Sequence, residues 1–145
     1  GEKPYHIHLN YGYQDSSFYI HSAREGKKIE LLRKNNLVHF QIETGVEVKN
    51  TDQAYRCGTI YDCVMGYGRA TVVDDPREKM LGANILMNHY REGWGHKHQY
   101  KGCLTEIFII RIDIDTDSVT GKTSPNRNMY VDVERFVKRE RRLKS

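Results

Sequence analysis

The stretch Phe-Tyr-Ile-His-Ser-Ala-Arg-Glu-Gly-Lys-Lys, residues 18–28, decides the fold that we predict. Its first four residues favour a strand, which returns from a polar turn at 14–17 and closes a hairpin. A loop that ends in Gly26 follows, and apolar residues within 29–32 predict a helix over 27–34. A strand, a glycine loop and a helix therefore meet in this stretch.

The start of this helix has the features of an anion site. Free backbone N–H groups and a partial positive charge at a helix N-terminus bind phosphate groups readily. Lys27 and Lys28 are unfavourable at this position, because their positive charges oppose the helix dipole. A bound anion would offset these charges. From these residues alone two interpretations stay open, a phosphate site and a solvated helix start.

The remaining segments are mostly strands. The pattern predicts strands at 5–13, 37–43, 57–73 and 103–115, helices at 75–90 and 130–143, and loops at 45–53, 92–102 and 119–128. Three glycines, Gly58, Gly66 and Gly68, indicate that 57–73 is a bent or bulged strand pair. So few helices between strands argue against a doubly wound sheet. We predict a mainly β protein, an antiparallel Greek-key β-barrel with peripheral helices.

Charge and length restrict the class of protein. The net charge of +4 lies entirely in 134–145, whereas the rest of the 145-residue chain is balanced. Nucleic-acid-binding domains usually spread positive charge over a folded face, so nucleic-acid binding is disfavoured. No apolar run approaches the roughly 20 residues that cross a bilayer, so we expect no membrane association. We divide the chain into a barrel domain at 1–129 and a basic C-terminal helix or tail at 130–145.

The cysteines and the first residue bear on cellular context. Three cysteines, an odd number without CxxC spacing, do not form a secreted disulfide scaffold, and we expect a cytoplasmic protein. Because the chain opens without Met, directly in a strand-like segment, we also expect that a leading segment has been trimmed or is not included in this sequence.

Two motifs in order resemble those of the flavin-binding split barrels. The first is Tyr-Ile-His-Ser-Ala-x-x-Gly-Lys-Lys-x-x-x-Leu at 19–32, and the second is Tyr-Asp-Cys-Val-Met-Gly-Tyr-Gly-Arg-Ala at 61–70, followed by Asp74-Asp75-Pro76. Together they resemble the pyridoxamine 5′-phosphate oxidase-like family, and in particular its nitroimidazole-resistance branch. The resemblance covers roughly 3–122 and implies an FMN-binding split barrel that forms a homodimer.

The resemblance also implies roles for particular residues. Ser22, Lys27 and Lys28 would hold the flavin phosphate, and His21 would lie near the cofactor as the candidate catalytic residue. Cys63 would approach the flavin, although Asp62-Cys63 replaces the commoner Arg-Ser pair of the family. The segment that would run along the isoalloxazine ring contains His6, Ile7, His8 and Leu9.

Two histidine pairs admit other interpretations. His6 and His8 are two residues apart on a predicted strand, so both would face the same side. There they would line a ligand site, be ordinary surface histidines, or bind a metal. His96 and His98, near Cys103, match no zinc spacing and indicate a loop that covers a pocket or partner. We therefore predict no metal site.

The function that the resemblance implies is an FMN-dependent oxidoreductase. A nicotinamide donor would reduce the flavin, and the acceptor would be a small molecule such as a nitroimidazole. His21 suits proton transfer because imidazole titrates near neutral pH. Two alternatives remain at this stage: a non-catalytic flavin-binding or storage protein, and a haem-binding relative that would use His6 and His8.

Overall fold

A computed structural model describes residues 3–50, 52, 54–97 and 103–124, with only the backbone given for 96, 97 and 103. Its strands are β1 (Gly12–Gln14), β2 (Ser17–Ala23), β3 (Leu37–Lys49), β4 (Gly58–Val72), β5 (Ile107–Ile114) and β6 (Thr120–Thr123). Its helices are α1 (Lys27–Lys34), α2 (Pro76–Tyr90), α3 (Trp94–Lys97) and α4 (Cys103–Glu106), with single 3₁₀ turns at Ala54–Arg56 and Thr116–Ser118. Strand residues predominate, which confirms the predicted mainly β class.

The described residues fall into two compact units, one within 1–38 and 68–114, the other within 39–67 and 115–145. In the first unit, β5 lies between β2 and the second half of β4, and both pairings are antiparallel. Neighbouring residues of β5 point to opposite faces of the sheet and enter two cores. Ile109 packs with Tyr19 and with α2, whereas Ile110 packs with Ile20 and with Ile29 of α1.

The predicted hairpin is present, but its first strand is shorter than predicted. Asp15 and Ser16 both have positive φ, 50° and 59°, and Gln14 pairs with Ser17. This two-residue turn matches the right-handed twist of the strands that it joins. The strand predicted at 5–13 is wrong for 5–11, because β1 begins only at Gly12.

Helix α2 begins where its sequence predicts. The carboxylate of Asp75 accepts a hydrogen bond from the backbone N–H of Glu78 at 2.8 Å, and Pro76 is the first helical residue. The cap satisfies one N–H that the helix itself leaves free, and proline has no N–H to satisfy. The helix then presents Ala83 and Ile85 to the core around Tyr19.

The second unit contains most of β3, the first half of β4, and β6. Asp62–Met65 of β4 pairs antiparallel with β6. Two predicted loops are therefore partly wrong: β3 continues through 45–49, and β6 occupies 120–123 within the predicted loop 119–128. The segment predicted as a bent strand pair, 57–73, is one long strand, β4, which runs through both units.

Between α2 and β5 the chain also differs from the sequence prediction. Trp94–Lys97 forms a short helix inside the predicted loop, and Cys103–Glu106 forms a helical turn where a strand was expected. The predicted C-terminal helix at 130–143 and the domain boundary after 129 lie outside the described residues. Within the described part of the chain, we find no helix with the length and apolar character that a membrane span requires.

Candidate functional site

The loop between β2 and α1 exposes the start of the helix. Gly26 is the N-cap residue, its φ is 108°, and as a glycine it supplies no side-chain hydrogen bond to cap the helix. The backbone N–H of Glu30 donates to the carbonyl of Gly26 at 3.1 Å. The N–H groups that come before Glu30 in the first turn have no acceptor within the helix. A Cβ at Gly26 would meet no atom within 4 Å. Among the described residues, the space beside the Gly26 backbone is therefore open to a ligand.

Two lysines stand at this helix start in different environments. Burial lowers the pKa of Lys28, which means that partial removal from water disfavours its charged form. Lys27 is exposed, and its Nζ lies 5.0 Å from the centre of the Tyr5 ring. This cation–π contact brings the N-terminal segment to the start of α1.

Ser22 is buried near the end of β2, at 3% exposure, and its hydroxyl donates to the carbonyl of Ala23 at 2.8 Å. It pairs across the sheet with Phe108 of β5. Since directly opposed residues of antiparallel strands share a face, Ser22 and Phe108 lie on the face that α1 covers. The structure thus brings Ser22 to the same side as α1.

A polar cleft of about 870 Å³ opens beside this helix start. Its lining consists of Arg24, Glu25, Gly26, Ile29, Glu30, Arg33 and Phe108. The Arg24 guanidinium lies 5.2 Å from the centre of the Phe108 ring and donates to the carbonyl of Thr105 at 2.8 Å. The cleft was not predicted from the sequence. Residues 26, 29, 30 and 33 do share one face of α1 by helical spacing, but the sequence does not show that Phe108 faces them.

His21 points away from this arrangement. It follows Ile20 and precedes Ser22 in β2, and alternate residues of a strand point to opposite faces. Ser22 therefore lies with α1, whereas His21 shares the face of Tyr19, against which α2 packs. His21 is exposed and pairs with Ile109 across the sheet. His21 and Ser22, although adjacent in the motif, therefore face opposite sides of the sheet.

The segment predicted to run along a flavin ring is not a strand. His6, His8 and Leu9 are exposed, and Ile7 is half-buried. The prediction that the two histidines alternate on a strand is wrong, because strand geometry requires hydrogen-bonded pairing that begins only at Gly12. Their rings nevertheless lie 5.8 Å apart and nearly perpendicular, so the imidazoles form a neighbouring pair.

Cys63 belongs to the second unit and is 2% exposed. Burial raises the pKa of its thiol, and the negative charge of Glu43 raises it further, while Lys122 acts in the opposite sense. The thiol is therefore protonated and unreactive at neutral pH. Next to it, Asp62 accepts a hydrogen bond from Thr123 Oγ1 at 2.7 Å. The side chains of His96 and Cys103, and all of His98, lie outside the described atoms.

Comparison with known proteins decides the family. The model of the pyridoxamine 5′-phosphate oxidase family matches residues 1–122, which is most of the chain. The chain belongs to this family. The match confirms the resemblance that the two sequence motifs indicated. A comparison with curated protein sequences finds no match.

Solved structures show the fold independently. A proposed 5-nitroimidazole antibiotic resistance protein from Bacteroides thetaiotaomicron is 27% identical, with a TM-score of 0.66 over 82% of this chain and 68% of that one. An FAD- and haem-binding protein from Mycobacterium smegmatis is 14% identical, with a TM-score of 0.67 over 89% of this chain and 63% of that one. An FAD-binding protein from Mesorhizobium loti is 24% identical, with a TM-score of 0.54 over 82% of this chain and 76% of that one. These likenesses confirm the predicted split barrel.

Proposed function

We propose that the chain is a flavin-binding oxidoreductase that holds the phosphate of FMN between the Ser22 loop and the start of α1. The observation that carries this proposal is the uncapped helix start at Gly26, beside the partly buried Lys28. The first turn of α1 thus combines backbone N–H groups, the positive end of the helix dipole and two lysines. A phosphate dianion is the chemical group that this set of donors fits.

The electrostatics of Lys28 support the same ligand. Removal of an ammonium group from water is unfavourable unless a negative charge is near. Within the described residues, no carboxylate forms an ion pair with Lys28. A bound phosphate would supply that charge, raise the pKa of Lys28 and offset the unfavourable position of both lysines in the first turn. The site thus fits a monophosphate, as the predicted cofactor requires.

A bound flavin supplies the electron-transfer chemistry, and the protein binds, orients and shields it. In this proposal the segment His6, Ile7, His8 and Leu9 lines the ring, and Lys27 links that segment to the phosphate site through Tyr5. His21 moves a proton to or from the acceptor. Because burial keeps the Cys63 thiol protonated, we assign it no nucleophilic chemistry.

The comparisons support the flavin and the acceptor separately. Family membership and relatives that bind FAD favour a flavin in general. The 27% identity to a proposed nitroimidazole resistance protein favours a nitroimidazole as the small-molecule acceptor. We further propose a nicotinamide nucleotide as electron donor and a homodimer as the working assembly. The dimer would be measured by light scattering with and without FMN.

Replacement of both Lys27 and Lys28 by Ala tests the phosphate site. We expect the dissociation constant for FMN to rise about 100-fold, because two charge-assisted contacts are lost. Titration by flavin fluorescence quenching measures it. The control is Lys34→Ala with Lys79→Ala, which removes two lysines from other parts of helices α1 and α2. Equal FMN affinity in the Lys27/Lys28 variant and the control would contradict the assignment.

Catalysis requires a separate measurement. Loaded with FMN, the protein should be reduced by a nicotinamide donor without oxygen and reoxidised by a nitroimidazole, as followed by flavin absorbance. A protein that binds FMN tightly but shows neither step is a flavin store. A purified protein with haem absorption and no flavin bands would instead support the haem-binding alternative.

A further inference from the structure

We propose that Arg24 is a positioning residue for the flavin phosphate, because its side chain ties the loop before α1 to the helical turn before β5. The inference rests on the proposed phosphate site and extends it to a position that the first sequence motif leaves open. In this proposal Arg24 does not touch the phosphate. It fixes the loop that leads to Gly26 and Lys27, which start the helix.

The backbone pairing between β2 and β5 ends just before this loop. The last paired residues are Ala23 and Ile107, and the chain that precedes Ile107 is the helical turn α4. Arg24 Nη1 donates to the carbonyl of Thr105 at 2.8 Å. Arg24 follows Ala23 directly, and Thr105 stands two residues before Ile107. A side-chain hydrogen bond thus continues the attachment of the two segments where the ladder ends.

A second contact restrains the same guanidinium group. Its central carbon lies 5.2 Å from the centre of the Phe108 ring, within the range of a cation–π contact. Phe108 is a firm support, because it pairs with Ser22 across the sheet and packs on the core around Ile29 and Ile110. The hydrogen bond and the ring contact together fix the direction in which Arg24 leaves the end of β2.

The loop has reason to need such a restraint. Arg24, Glu25 and Gly26 are all exposed, and glycine has the widest choice of backbone conformations. A loop that becomes ordered only when its ligand binds lowers the affinity, whereas a loop that is already held in place avoids this cost. Arg24 therefore favours phosphate binding by keeping the backbone at the start of α1 in position.

Replacement by lysine separates this role from a direct effect of charge. Lysine retains the positive charge but lacks the planar guanidinium, which donates to the Thr105 carbonyl while it lies over the Phe108 ring. If the charge of Arg24 attracted the phosphate directly, Arg24→Lys would keep the affinity for FMN. If Arg24 acts through the loop, Arg24→Lys should behave like Arg24→Ala.

The test compares FMN with riboflavin, which has the same ring system and no phosphate. Dissociation constants for both ligands are measured by fluorescence quenching for the wild type, Arg24→Ala, Arg24→Lys and Arg33→Ala. Arg33 is the matched control, because it is an exposed arginine in the last turn of α1 that lines the same cleft. Thermal unfolding of each variant shows that its fold is retained.

We expect the wild type to bind FMN about 100-fold more tightly than riboflavin, through the phosphate. Arg24→Ala and Arg24→Lys should each raise the dissociation constant for FMN about tenfold, which is the effect of one lost charged hydrogen bond. Their dissociation constants for riboflavin should change less than about twofold, and Arg33→Ala should change neither ligand by more than that.

Three results would overturn the inference and leave the proposed function standing. They are wild-type FMN affinity in Arg24→Lys, equal losses of FMN and riboflavin affinity in the Arg24 variants, and a loss of FMN affinity in Arg33→Ala as large as that in Arg24→Ala. A wild type that binds FMN no more tightly than riboflavin has a different meaning. It would contradict the phosphate site itself, and both proposals would be wrong.

Discussion

Gly12→Ala tests the contact that anchors the N-terminal segment. Gly12 is the first residue of β1 and lies against the backbone of α2. A Cβ there would lie 2.6 Å from the carbonyl carbon of Ile85 and 2.6 Å from the backbone nitrogen of Leu86. Neither atom can rotate away, because both belong to the helix backbone. The strand and the helix must separate until these distances exceed 3.0 Å, below which Cβ contacts are essentially never found.

The magnitude follows from two opposed effects. Overpacking of a filled site costs about 1–3 kcal/mol, and we take about 3 kcal/mol because backbone cannot yield as a side chain does. Alanine has less conformational freedom than glycine in the unfolded chain, which returns about 0.5–1 kcal/mol. The clash therefore prevails by about 2 kcal/mol. For a chain of this size, the melting temperature should fall by about 4–8 °C.

Thermal unfolding followed by circular dichroism, with urea unfolding beside it, measures this loss. Gly58→Ala is the matched control, since a Cβ at Gly58 would meet no atom within 4 Å. We expect Gly58→Ala to leave the melting temperature unchanged or slightly higher. Equal melting temperatures for Gly12→Ala and Gly58→Ala would contradict the close packing of β1 on α2.

Two further predictions concern Tyr19 and His21. Burial, and then the charge of Glu78, raise the pKa of Tyr19 above its usual value of 10.0, so the folded state favours the neutral phenol. This stabilisation is present below about pH 10 and is lost as pH rises through the folded pKa, because the unfolded chain releases the proton first. Between about pH 9 and about pH 11, the urea concentration at the midpoint of unfolding should therefore fall less for Tyr19→Phe than for the wild type. An equal fall in both proteins would contradict this. His21→Ala should keep FMN affinity within about twofold, because His21 lies on the face opposite Ser22, while nitroimidazole reduction falls about 100-fold. Loss of FMN binding in this variant would show that His21 holds the cofactor.

The boundaries of α1 and α2 were predictable because their signals are local. Gly26 precedes α1 in a conformation with positive φ that glycine adopts readily, and Asn35 follows the last helical residue. Asp75 and Pro76 supply a cap and a preset φ for α2. Each signal depends on residues within one or two turns of the helix end. The sequence alone therefore gives these boundaries.

Strand boundaries were less predictable because a strand requires a partner. Residues 5–11 have the alternation of a strand, yet pairing with β2 begins only at Gly12. On the other side of β2, pairing ends at Ala23 with Ile107, and the chain before Ile107 turns into helix. In contrast, the polar segment at 120–123 pairs with β4. Hydrogen-bonding partners far along the chain set these limits, and local periodicity does not contain them.

The same distinction divides the candidate site. The Ser22 loop and its two lysines follow from the sequence, since they are consecutive elements of one strand–loop–helix unit. The cleft does not follow from the sequence, because its lining includes Phe108, which lies more than seventy residues beyond α1. Phe108 comes to lie opposite Ser22 only through the register of β5 with β2. Arg24 is recognisable as a site residue only after Phe108 has been placed beside it.

The alternation of β2 finally constrains how the proposed site works. Residues next to each other in the motif serve opposite faces of the sheet, Ser22 with α1 and His21 with α2. A ligand held by its phosphate at α1 can contact His21 only if its ring passes the end of β2, beyond Ala23. That end is where the Arg24 loop begins, and Lys27 holds Tyr5 of the N-terminal segment at the helix that follows. The N-terminal segment, whose described residues 3–11 form no strand, is therefore the part of the first unit best placed to guide a ring from one face to the other.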